Sequence, residues 1–134
     1  MNNTYGDVFI EVAKCADICL KPFNHSVISK NIDYKEPFLE DHFIELILAI
    51  ESRNQNGVRF PENDLELEIY RSGSELNITL AWDKYPERPI LWQGKYSLWM
   101  DATSGKKCEP SANGEKLEAL SRRLRVLFSS ITSS

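Results

Sequence analysis

A chain of 134 residues with 42% hydrophobic and 27% charged side chains has the composition of one ordinary globular domain, residues 1–134. It can bury about two thirds of its unfolded surface without disulfides or metal, and its composition is far from that of a disordered chain. Its 16 Lys and Arg against 20 Asp and Glu, a net charge of −4, exclude a dedicated nucleic-acid binder with a basic face.

The first predicted element is a helix over residues 7–20, opened by Asp7 as N-cap, with Phe9, Val12, Ala16 and Cys19 on its apolar side and Pro22 beyond its end. Residues 24–35 alternate poorly and read as a loop or a short edge strand. A second helix is predicted over residues 37–53, because Leu39, Phe43, Leu46, Ile47 and Ile50 recur at helical spacing. Its first turn holds Glu40 and Asp41, and the Asn54–Gly57 cluster supplies a stop.

From residue 64 the period becomes two. Leu65, Leu67 and Ile69 alternate with Glu66, Glu68 and Tyr70; after Ser72-Gly73-Ser74, the residues Leu76, Ile78, Leu80 and Trp82 alternate with Asn77, Thr79 and Ala81. This is a β-hairpin with one apolar face. A third strand is predicted with Ile90, Trp92, Tyr96, Leu98 and Met100 on the core side, interrupted at Gly94 by a bulge or a close packing contact. The last helix follows Asn113-Gly114 and directs Leu117, Leu120, Leu124, Leu127 and Ile131 inward. The expected fold is therefore α+β, in the order α-α-β-β-β-α: an antiparallel sheet of three strands, or four, with two N-terminal helices and one C-terminal helix.

No uncharged apolar run approaches the roughly 18 residues that span a bilayer; the longest, Phe43–Ile50, is interrupted by Glu45. The N-terminus lacks the features of a secretory leader. No membrane association is expected, and the expected compartment is the cytoplasm. Cys15, Cys19 and Cys108 are odd in number and expected to be reduced. With His25 or His42 they number four potential metal ligands, but Cys15 and Cys19 share a helical stripe with Val8 and Val12 and read as small buried hydrophobes. Neither metal nor cofactor is expected.

The segment Asp101–Lys107 has the ingredients of an anion-binding loop yet lacks the first glycine of a P-loop, and reads as an exposed turn. His25 and His42 are the only imidazoles, so a histidine-dependent mechanism must use one of them, but no catalytic residue is assigned. The acidic run Glu62, Asp64, Glu66 and Glu68 reads as an exposed face rather than a carboxylate pair for chemistry.

Charge is unevenly placed: residues 1–101 carry 10 basic and 17 acidic side chains, residues 102–134 carry 6 and 3. An acidic body of this kind suits a cationic partner. On the polar face of the sheet the alternation places Tyr70, Leu91 and Trp99 among Glu66 and Glu68, a composition expected of a partner surface. The first functional expectation is thus a non-catalytic interaction module, of the accessory, client-chaperone or inhibitor type, binding a basic protein partner through Tyr70, Trp99, Glu66, Glu68 and Leu91. Self-association through a sheet edge or face is compatible with the same surface. The alternative is a small enzyme or ligand-binding domain with a pocket lined by Trp82, Trp92, Tyr96 and His25 or His42. The absence of nucleophile, metal and phosphate motifs favours the module.

Overall fold

A computed structural model describes residues 5–30, 45–72 and 74–132. Its elements run α1 (Tyr5–Cys19), β1 (Asn24–Ser29), β2 (Glu45–Arg53), a single 3₁₀ turn (Pro61–Asn63), β3 (Leu65–Ser72), β4 (Glu75–Trp82), β5 (Ile90–Gln93), β6 (Ser97–Met100) and α2 (Gly114–Thr132). The six strands form one antiparallel sheet in the order β1-β2-β3-β4-β5-β6, so every strand pairs with its neighbour in sequence. The α+β content stands. The expected order α-α-β-β-β-α is replaced, among the described residues, by one helix, six strands and one helix.

The main correction is the second helix. Residues 45–53 form strand β2, while residues 37–44 lie outside the described part. Leu46, Leu48 and Ile50 are fully buried at a spacing of two, each opposite an apolar partner: Ile69, Leu67 and Leu65. An almost continuous apolar run fits both periods, and the central position in the sheet, not the local pattern, selects the strand. The ambiguous segment before it provides β1 at the sheet edge.

The second correction divides the predicted third strand into a tight hairpin. Gly94 donates its backbone N–H to the Tyr96 carbonyl at 3.2 Å, turning β5 into β6. A Cβ at Gly94 would lie 2.5 and 2.7 Å from the Trp92 ring and 2.9 Å from Asn77 Oδ1, so the absent side chain is what lets the indole lie against the turn. Leu80 pairs with Leu91, and Leu91 with Trp99. The inner face of β5 and β6 therefore carries Leu91, Gln93 and Trp99, while Ile90, Trp92, Leu98 and Met100 lie outside, the reverse of the expectation. Leu98 is only partly buried.

Both helices cover the inner face. Asp7 lies in the first turn of α1 rather than at its cap; Val8, Val12 and Ala16 repeat at i, i+4, i+8 and are buried, as are Leu117, Leu120, Leu124 and Phe128 of α2. α1 lies against β1, α2 against β4 and β5, and the helices touch each other. Leu67, Ile78 and Leu80 form the centre of the core beneath them.

Candidate functional site

On the outer face a row of paired residues crosses the sheet: Ile47, Glu68, Thr79, Trp92 and Leu98. Trp92 Nε1 donates to the Tyr70 hydroxyl at 3.0 Å, joining β5 to β3 and fixing both aromatic planes. Ile90, Leu98 and Met100 extend this apolar strip towards β6, all only partly buried. No helix among the described residues lies over it. Glu66 is held by Lys30 Nζ at 2.7 Å, and the same ammonium stands 3.6 Å from Asp83; the hydrogen bond that Lys30 donates to Glu66 is the main cause that raises the Lys30 pKa. Part of the acidic rim is thus neutralised by the chain itself.

Of the five residues expected to form a partner surface, Tyr70, Glu66 and Glu68 are on this outer face and Trp99 and Leu91 are not. Trp99 is 5% exposed, lies against Gly114 at the start of α2, and donates its Nε1–H to Glu118 Oε2 at 2.7 Å. Leu91 is fully buried. Both are core residues, because β5 and, paired with it, β6 enter the sheet with their odd-numbered side chains inward. The aromatic that replaces Trp99 on the outer face is Trp92.

At one end of the two-layer structure, where α1 leaves the sheet and α2 begins, a cleft of about 100 Å³ is bordered by His25, Ser52, Trp82, Phe23, Asn63 and Lys116 among others. The His25 side chain is only 1% exposed and its Nδ1 lies 2.9 Å from Asp17 Oδ1; an ionised carboxylate only accepts, so this contact assigns the imidazole hydrogen to Nδ1. Ser52, opposite His25 across the strands, donates its hydroxyl to the Asn63 carbonyl at 3.1 Å rather than to the imidazole, so it is not arranged as an activated nucleophile. Trp82 Nε1 is buried without a hydrogen-bond partner. Of the expected pocket residues the structure unites Trp82 and His25. Trp92 lies on the opposite face, Tyr96 is 74% exposed in the β5–β6 turn, and His42 lies outside the described residues. Asp17, Lys21, Asn113 and Lys116 escaped the sequence reading: each is an ordinary polar residue at a helix end, and only the tertiary packing unites them.

Beside the cleft, Asp64 is the structural member of the acidic run. It accepts the Ser52 backbone N–H at 2.8 Å and a two-pronged contact from Arg59 at 2.9 and 2.8 Å. Burial acts to raise its pKa, but the Arg59 guanidinium and the Ser52 N–H outweigh it and hold the carboxyl below its usual range. Asp101 is another local support, capping its own turn by accepting the N–H groups of Thr103 and Ser104; these bonds lower its pKa. The three thiols are free, and burial is the first cause raising those of Cys15 and Cys19. No group of three or more His, Cys, Asp or Glu side chains arranged for a metal ion occurs among the described residues.

Residues 9–127 match a family described as a domain of unknown function (DUF8659). No curated protein and no solved structure matches the chain. No helix among the described residues is long and apolar enough to cross a membrane.

Proposed function

The chain belongs to that family of unknown function, and we propose that it acts as a non-catalytic interaction module that binds a protein partner through the outer face of its sheet. The observation that supports this reading is the asymmetry of the two faces. Both helices pack on the inner face, while the outer one carries a hydrogen-bonded Trp92–Tyr70 pair beside Ile90, Leu98 and Met100. Partly exposed aromatic anchors beside aliphatic side chains, with acids at the margin, have the composition of an interface centre and rim. Glu51, Glu66, Glu68 and Glu75 flank the strip, which favours a partner with a basic margin. Because Glu66 already carries Lys30 and Glu75 stands 3.6 Å from Arg125, affinity comes chiefly from the apolar centre, and charge acts on the rate of encounter. The cytoplasm is the compartment we assign to this activity.

The test is affinity capture from the native host with the wild-type chain and with the outer-face variants Trp92→Ala and Met100→Lys. A partner retained in stoichiometric amount by the wild type and lost by both folded variants supports the proposal. Retention of the same protein by both variants overturns it.

A further inference from the structure

The two edges of the sheet are finished differently. At β6 the chain covers its own edge: Met100 forms a bridge to Lys107, and Cys108 donates its N–H to the Trp99 carbonyl at 2.9 Å. At β1, among the described residues, no strand takes that place. Lys30 donates its N–H to the Ile47 carbonyl at 2.8 Å, and the bonds of an antiparallel pair recur at every second residue. Ile28 and Ser26 therefore bond to β2, while the backbone N–H and C=O groups of Val27 and His25 point away from it. The strand Asn24–Ser29 contains no Lys, Arg, Asp, Glu or Pro, the residues that keep an edge strand from pairing with another chain. Apolar side chains stand exposed on both sides of this edge. Ile28, on the outer face, is 50% exposed. On the inner side α1 lies against β1, and Asp17, by reaching His25, marks the side of the helix that is turned to the edge strand. Ala13 and Ile10 precede Asp17 by four and seven residues and share that side; Ile10 is 56% exposed.

From these features we infer that β1 pairs antiparallel with β1 of a second copy of this chain, about a two-fold axis at Val27, and joins the two sheets into one. The occupant follows from the fit of the strand to itself. Val27 then lies opposite the partner's Val27 and Ser26 opposite the partner's Ile28, and this equal parity sets inner face beside inner face. Such a pairing uses the same surface on both copies and closes at two. Charge permits it, because the strand carries none. Lys30 at its end is held by Glu66 at 2.7 Å, and Arg53, bonded to Ser26, stands 3.8 Å from Glu51. Two short strands flanked by Ile10 and Ile28 bury less than the roughly 1,600 Å² of a standard interface, which sets the dissociation constant at about 10–100 μM. The dimer does not depend on the interaction proposed for the outer face; it sets two copies of that face side by side.

Sedimentation equilibrium of the full chain from about 2 μM to about 1 mM, which brackets that range, should show a monomer–dimer equilibrium. Hydrogen exchange at the Val27 amide should slow as the concentration rises through the dissociation constant. Ile28→Lys should weaken the dimer at least about tenfold, since it sets two ammonium groups beside the two-fold axis in place of an apolar contact. Ile10→Lys should weaken it by a similar factor and decides the matter if Ile28→Lys fails to fold. Met100→Lys, at the opposite edge of the sheet, and Val126→Lys, at an exposed position of α2, should leave the dimer unchanged. A chain that stays monomeric throughout overturns the inference, whether its Val27 amide exchanges freely or is already protected at dilution by another part of the same chain. So does a dimer that withstands either folded β1-edge variant, Ile28→Lys or Ile10→Lys, or one that Met100→Lys abolishes.

Discussion

Replacing Trp99 by alanine separates the two faces of the sheet more sharply than any other single change. Its indole is 5% exposed, pairs with Leu91 across β5 and β6, rests against the first residue of α2 and is anchored to Glu118 at 2.7 Å. Truncation of a buried tryptophan removes the packing of a whole ring and leaves a cavity, at a cost of about 3–5 kcal/mol. Glu118 adds little to that cost, because its side chain is 29% exposed and water replaces the lost donor. For a domain of this length each kcal/mol lowers the melting midpoint by roughly 3–4 °C, so Trp99→Ala should lower it by about 9–20 °C in a circular-dichroism melt. Trp99→Phe keeps most of the apolar contact and loses the hydrogen bond, and should cost about 1–2 kcal/mol. Trp92→Ala, on the outer face, provides the contrast and should lower the midpoint much less than Trp99→Ala. If Trp99→Ala melts within about 3 °C of the wild type, or if Trp92→Ala is the more damaging of the two, the assignment of inner and outer faces on β5 and β6 is refuted.

Three further outcomes are expected. Leu80→Ala, at a fully buried position, should cost about 2–5 kcal/mol in urea unfolding, and a cost below about 1 kcal/mol would contradict its central place in the core. Gly94→Ala should destabilise the domain by about 1–3 kcal/mol, because the new methyl meets the Trp92 ring and Asn77; a neutral result would show that the β5–β6 turn relaxes freely. Asp64→Asn should cost about 1.5–3 kcal/mol at neutral pH. Since the folded carboxyl has the lower pKa, its contribution is complete above the ordinary carboxylate value and fades as pH falls through the folded one. The gap in urea midpoint between wild type and Asp64→Asn should therefore narrow as pH falls below about 4, and a gap that widens there would reverse the assigned sign.

The parts of the fold that could be read from the chain are those where one period stands alone. Leu65–Trp82 alternates between apolar and polar without exception at the core positions, and α2 presents Leu117, Leu120 and Leu124 on one stripe; both formed where expected. Where two patterns coexist, the reading failed. Leu46-Ile47-Leu48 satisfies a helix as well as a buried strand, and the choice depends on β1 and β3 on either side. On β5 and β6 both parities are apolar, Ile90, Trp92, Leu98 and Met100 against Leu91 and Trp99, so only the register with β4 decides which set faces the helices. Two of the five residues expected on the partner surface, Leu91 and Trp99, lie inside for that reason, and Trp92 takes the outer place of Trp99. The end cleft was less legible still: His25 and Trp82 were named together, but Asp17 and Lys116 are brought to them by the docking of α1 and α2, and no local spacing announces it.

The strictly sequential strand order also bears on how the chain reaches this state. Each strand finds its partner in the segment just before or just after it, so the sheet can grow hairpin by hairpin from β3–β4 with little loop-closure entropy at most steps. The exception is β1 onto β2, which must close the stretch between Ser29 and Glu45. The meeting of α1 with α2 joins segments from opposite ends of the strand array, so it has the greatest loop-closure cost. Until α2 docks, Leu67, Leu80, Leu91 and Trp99 form a bare apolar surface, the kind of transient exposure that invites aggregation. The helix after the sheet is thus its built-in cover during folding, and a chain stopped before Gly114 would keep that surface uncovered.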